Sequence, residues 1–193
     1  MNLIFLGSFV TPDEIKKFPA ASVAGNKMQY NLLYHLSDKI DNIEVVSFEV
    51  HAKYPQEKKL YIRSSKKILF GNVRVEYLAY VNLPILKELS LLLGFLFSVK
   101  KLVKKDSILL SYNLFLYQAF AFNFFRKKVN DKCVCLLADL SSGNTKKGFF
   151  GKITRLLFDG YHHYSLKKCS YFIALNEYAL KKFTKPKSYM IMD

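Results

Sequence analysis

Three stretches of the 193-residue chain carry side chains whose types and spacing suit chemistry. The first is Phe18 to Lys27 (FPAASVAGNK), a run of small residues between an apolar segment and a helix-like one. A small-residue loop at the start of a helix lets backbone N–H groups approach a phosphate. Only Gly25 falls in the turn, so the G-x-G-x-x-G dinucleotide fingerprint is absent and a dehydrogenase is not indicated. An ordinary long loop with a helix start accounts for the same residues. The second is Asp139, which ends an apolar run and is followed by Ser141, Ser142, Gly143 and Asn144. It is the acid best placed for hydroxyl binding or proton transfer, and a turn-forming aspartate fits the position as well. The third is residues 142–155 (SGNTKKGFFGKITR), where Lys146, Lys147, Lys152 and Arg155 surround Phe149 and Phe150. Cations flanking paired aromatics suit shallow insertion into an anionic membrane. A solvated loop whose phenylalanines begin the next helix is the alternative.

Other reactive residue types form no constellation. Cys133 and Cys135 point to one face of a strand and Cys169 stands apart, without metal-ligand spacing, so they read as core thiols. His162 and His163 are adjacent and face different ways; Asp159 and His163, four apart, read as a surface pair. No G-x-S-x-G, P-loop or RNA-recognition signature occurs.

The elements that must position these residues follow from periodicity. Strands are expected at Asn2 to Val10, Ile43 to Val50, Val73 to Val81, Ser107 to Ser111, Lys132 to Leu137, Tyr171 to Leu175 and Ser188 to Met192, with Lys58 to Leu69 a strand and turn. Helices are expected over Lys27 to Leu36, from Pro84 to about Lys105, over Leu114 to Lys128, from about Phe149 to Lys168, and over Glu177 to Phe183. Runs such as LIFLG, ILLS, VCLL and FIAL are apolar throughout, as burial on both faces requires. The alternation predicts an α/β, Rossmann-like, doubly wound and mostly parallel sheet with helices on both faces. Ligands in such folds bind outside the carboxyl ends of the strands. Those ends carry Gly7, Ser8, Glu49, His51, Asn82, Tyr112, Asn113, Asp139, Asn176 and Glu177.

Composition narrows the class. A chain that is 51% hydrophobic is not disordered, and three cysteines in this length point to a reducing compartment rather than a disulfide scaffold. The N-terminal apolar run lacks a basic region and is followed by Asp13 and Glu14, unlike a signal peptide. Ser107 to Phe125 is 19 residues without a formal charge. Its amides, Asn113, Gln118 and Asn123, would each cost roughly 1–3 kcal/mol in lipid, so a buried strand and helix explain it better. The net charge is +15, yet residues 1–50 carry −2. Much of the excess lies at expected helix C-termini, where cations complement the dipole. Nucleic acid is therefore not the expected partner.

Taken in order, "SVAGNKMQYNLLYHL", "ILLSYN", "CLLADLSSG", "CSYFIALNEYALKKF" and "SYMIMD" resemble the N-terminal domain of retaining glycosyltransferases of family 4, which have the glycosyltransferase B fold. The resemblance implies one Rossmann-like domain over 1–193, the acceptor-side half, with the donor-binding domain expected on a further domain or subunit. Glu49 and Glu57 have the E-x7-E spacing of the family's donor element, but in the wrong half and without a helix to present them. By the resemblance, Ala24, Gly25 and Asn26 face the donor diphosphate, and Tyr112, Asn113, Asp139, Asn176 and Glu177 line the acceptor cleft. The implied donor is a nucleotide sugar, with no cofactor and no metal. The acceptor is a polysaccharide or lipid-linked sugar, which suits membrane contact by Lys146, Lys147, Phe149, Phe150, Lys152 and Arg155. In a retaining transfer the leaving diphosphate accepts the acceptor proton, so no catalytic base is assigned. The expected location is cytoplasmic, at or near the inner face of the plasma membrane. The alternative is a non-catalytic basic module that docks to a membrane or to a partner glycosyltransferase subunit.

Overall fold

Strand β1 (Asn2–Leu6) is apolar at every position after Asn2 because both its faces are covered. Leu3 and Phe5 join a core with Leu33 of helix α1 (Val23–Ser37), while Ile4 and Leu6 join a second core on the opposite face with Leu91, Phe95 and Val99 of α2 (Leu86–Leu102) and Phe122 of α3 (Leu116–Phe125). Each fully buried large side chain contributes about 2 kcal/mol, so the period-two alternation of β1 fixes which helix lies on which side. The computed structural model describes residues 1–138, 160–161, 164–174 and 189–191.

The remaining strands are β2 (Asn42–Ser47), β3 (Tyr61–Ile62), β4 (Ser65–Leu69), β5 (Val73–Tyr77), β6 (Tyr80–Val81), β7 (Ser107–Tyr112), β8 (Cys133–Leu137), β9 (Tyr171–Ala174) and β10 (Tyr189–Ile191). Eight form one sheet in the order β10-β9-β8-β7-β1-β2-β5-β4. Seven run parallel, and β4 pairs antiparallel with β5. The sheet is thus the expected mostly parallel, Rossmann-like α/β layer with helices on both faces. A short antiparallel pair, β3 with β6, lies apart.

Two expected elements differ. The run Val73 to Val81 is not one strand. Leu78 N–H turns to the carbonyl of Ser47, 2.8 Å away, and Tyr80 and Val81 then pair with Ile62 and Tyr61. The first helix begins at Val23, not Lys27, because the Ser22 hydroxyl accepts from the Gly25 N–H at 3.1 Å and caps it. Ala24, Gly25 and Asn26 therefore belong to its first turn. The uncharged run 107–125 is β7 followed by α3, and each of its amides has at least one partner, although Gln118 Nε2 is buried without one among the described residues. Asn113 Oδ1 accepts from Ala138 N–H (2.8 Å), Gln118 Oε1 from Phe115 N–H (2.8 Å), and Asn123 Nδ2 donates to the Tyr161 and Ser165 hydroxyls. Among the described residues, no helix is long and apolar enough to cross a membrane.

Candidate functional site

Strand order sets the place of the site. The chain leaves β1 toward β2 on one side and returns to β7 on the other, so a crevice opens at the carboxyl ends of β1 and β7. A cleft of about 600 Å³ lies there, lined by Ser8 after β1, by Ala24, Gly25 and Asn26 of α1, by Tyr112 of β7 and Asn113 after it, and by Lys53, Lys87 and Glu88.

The α1 wall is held by amides that imitate backbone. Asn26 is buried, accepts from Val10 N–H and donates to Val10 C=O, both at 2.8 Å. One turn on, buried Gln29 accepts from Ser8 N–H at 3.0 Å and donates to the carbonyls of Gly25 (3.1 Å) and Ser8 (3.4 Å). These pairs dock the amino end of α1 onto the exit of β1. Gly7 permits the approach: a Cβ there would stand 2.5 Å from the Phe5 ring and 2.7 Å from Gln29 Oε1. Gly25 has a similar role across the cleft, where a Cβ would meet the Tyr112 hydroxyl at 3.0 Å. The N–H groups of Val23 and Ala24 precede the first intrahelical acceptor, so the positive end of α1 opens on the cleft.

The β7 wall ends in two residues with left-handed backbone, Asn113 (φ 59°) and Leu114 (φ 45°), a conformation asparagine tolerates better than most. Asn113 ties β7 to β8, with its N–H on the Leu136 carbonyl and its Oδ1 on Ala138 N–H, each at 2.8 Å. Ala138, the last described residue of this turn, lines the cleft immediately before Asp139.

The third wall comes from α2 and the segment after β2. His51 is buried between two carboxylates, with Nδ1 2.7 Å from Glu57 Oε1 and Nε2 3.1 Å from Glu49 Oε2. A carboxylate only accepts, so both contacts are made when both ring nitrogens carry hydrogen. The Glu49–Glu57 spacing noted in the sequence thus serves a histidine clamp built on loops. The Tyr80 hydroxyl donates to the Glu49 carbonyl at 2.6 Å, and burial pushes its pKa well up. Lys87 donates to the His51 carbonyl at 2.8 Å, and burial pushes its pKa down. Lys53 pairs with Glu88 at 3.1 Å.

Of the residues expected to form the site, Ala24, Gly25, Asn26, Tyr112 and Asn113 share this one cleft. Asp139, Asn176 and Glu177 lie outside the described residues, as do Lys146, Lys147, Phe149, Phe150, Lys152 and Arg155. Sequence reading missed Gln29 and Lys87. The signal was present for both: Asn26, Gln29 and Leu33 share one helical row, and Lys87 begins the apolar row Leu91, Phe95, Val99. Polar residues on a buried row are the informative ones.

No family model matches the chain, and no curated protein matches it in sequence. The crystal structure of the alpha,alpha-trehalose 6-phosphate synthase from Burkholderia multivorans is similar, with a TM-score of 0.50 and 12% identity over 95% of this chain and 41% of that one. The chain therefore spans less than half the length of that enzyme. At this identity the likeness is one of fold alone.

Proposed function

We propose that the chain is the acceptor-side unit of a glycosyltransferase, moving a hexose from a nucleotide sugar to a polysaccharide or lipid-linked acceptor, with the donor held mainly by a further domain or subunit. One observation carries the reading. The cleft opens at the β1/β7 crevice of a sheet whose fold is similar, over 95% of this chain, to that of an alpha,alpha-trehalose 6-phosphate synthase. Ala24, Gly25 and the amino end of α1 would face the donor diphosphate. Tyr112, Asn113 and, beyond Ala138, Asp139 would face the acceptor, with Asn176 and Glu177 on the same rim. Titration of the chain with nucleotide sugars and with neutral oligosaccharides tests this division. Oligosaccharide should perturb cleft residues by NMR, while nucleotide sugar binds weakly, with Kd above about 1 mM, and is not hydrolysed. Tight donor binding by this chain alone contradicts it.

A second observation favours membrane docking as an added property. Leu86, Leu89, Leu93 and Phe97 form an exposed apolar stripe along α2, and exposed Lys100 and Lys101 close its last turn. An apolar stripe beside lysines suits a bilayer surface with anionic lipid. Flotation with anionic vesicles should weaken on Leu93→Ser with Phe97→Ser. Unchanged flotation removes the stripe from the reading.

A further inference from the structure

The segment after β2, residues 49–60, is tied down at both ends and loosely held between them. At the first end the Tyr80 hydroxyl donates to the Glu49 carbonyl (2.6 Å) and Asn82 Nδ2 to the Ala52 carbonyl (2.8 Å). At the second, Asn82 Nδ2 also donates to the Lys59 carbonyl (3.1 Å), and the Asn82 N–H to that of Leu60 (2.7 Å). From Lys53 to Leu60 every residue is exposed except Glu57. Glu57 Oε1 lies 2.7 Å from Nδ1 of His51, a ring that is 6% exposed. Lys53 reaches Glu88 at 3.1 Å, but a solvated ion pair holds little. Glu57 is therefore the inward anchor of the loop that brings Lys53 to the cleft wall.

That anchor depends on one proton. The ring meets two carboxylates, Glu57 at Nδ1 and Glu49 at Nε2, and each only accepts. Charged, the ring donates to both. Neutral, it has one N–H for two acceptors, and one carboxylate faces a nitrogen lone pair. Glu49 is two residues from His51 and its backbone is held by Tyr80, so the partner free to leave is Glu57. Raising pH only ionises carboxylates further, so neither can become the donor. The other groups packed near the ring do not replace the proton. Phe18 presents a ring edge at 5.0 Å, and burial pushes the Tyr80 and Tyr77 hydroxyls well up, so both stay neutral. From α2, Lys87 donates to the His51 carbonyl (2.8 Å) and Glu88 is engaged by Lys53.

We propose that His51 and Glu57 form a pH-operated latch: the protonated ring holds loop 53–60 against the cleft, and loss of its proton frees Glu57 and lets the loop, with Lys53, swing out. Histidine is the side chain that ordinarily changes charge near neutrality. The latch acts whatever ligand the cleft takes, and so goes beyond the reading above.

The test uses the full chain. Side-chain NMR of the His51 ring nitrogens locates its titration, and amide hydrogen exchange, corrected for the intrinsic rate at each pH, reads the loop. The N–H groups of Tyr54 and Gln56, which donate to the Asn82 and Lys53 carbonyls at 3.4 and 2.9 Å, should lose protection about tenfold or more in step with the ring signal, while β1 stays protected. Glu57→Gln, at the rim of the loop, discriminates further. Its amide donates to an unprotonated Nδ1 while Nε2–H still meets Glu49, so protection should persist across the same pH range. Glu57→Ala should leave the loop unprotected at every pH. Protection that stays constant while the ring titrates overturns the latch. So does a loss out of step with the ring, or one that survives in Glu57→Gln, since another group such as Lys87 then sets it. Each of these outcomes leaves the glycosyltransferase reading as it was.

Discussion

Replacing Asn26 with leucine separates a structural from a ligand-binding role at the mouth of the cleft. The asparagine is 3% exposed and Val10 is 1% exposed, and two 2.8 Å hydrogen bonds join them. Leucine has similar volume but leaves the Val10 N–H and C=O buried without partners, at roughly 1–3 kcal/mol each. Added apolar burial offsets about 1–2 kcal/mol, so the net loss is centred on about 2.5 kcal/mol. With a urea m-value of about 2–3 kcal/mol/M for a chain of this size, the midpoint should fall by about 1 M at unchanged m. Equilibrium urea unfolding followed by circular dichroism reads this directly. Asn26→Asp should also destabilise, because a second acceptor then meets the Val10 carbonyl. Lys27→Ala, at the exposed neighbour, should stay within about 0.5 kcal/mol. A midpoint for Asn26→Leu as unchanged as that of Lys27→Ala would refute the reasoning. If nucleotide-sugar affinity fell at the same time, the side chain would be reaching the ligand and not Val10.

Gly7→Ala should destabilise by about 1–3 kcal/mol, because its Cβ drives into the Phe5 ring and Gln29 Oε1 with no open side to move toward. A thermal midpoint equal to that of the parent would show that the β1 exit is looser than these contacts imply. Glu14, in the short 3-10 turn Pro12–Lys17, is bonded to Lys67 of β4, and that bond holds its carboxyl below the ordinary value of 4.5. A carboxylate whose pKa is lowered by folding contributes stability above the unfolded value and loses it as pH falls through the folded one. The stability difference between the parent and Glu14→Gln should therefore be full at neutral pH and shrink as pH falls below 4.5; a difference that stays constant into strong acid assigns the bond no stabilising role.

How far the sequence disclosed this arrangement depends on which information is local. The alternation in β1 and the apolar β7 and β8 mark strands buried on both faces, and with them the parallel layer and its ligand edge. The break at Leu78 is only half local: the alternation of Val73 to Tyr77 gives way there to the apolar run Leu78 to Val81, but the distant partners Ser47 and Ile62 decide where one sheet is left for the other. The start of α1 was masked for a similar reason. Ser22 is a good cap, but the third residue after it is Gly25, not the Glu or Gln that completes a capping box. Asn26 was expected at the diphosphate and Gln29 was not singled out, because the Val10 and Ser8 backbone groups they bond belong to another segment. Lys87 was hidden among the many lysines of a basic chain, although its place on the row of Leu91, Phe95 and Val99 set it apart.

The reversed strand β4 has a consequence for assembly. It is the outermost ribbon on its flank, it presents Lys66 and Lys67, and the second of these is anchored to Glu14. An unpaired rim of this kind would otherwise invite another copy to add its own ribbon. Like charges facing one another there oppose stacking into filaments, so association through backbone pairing is guarded against on the flank farthest from β10.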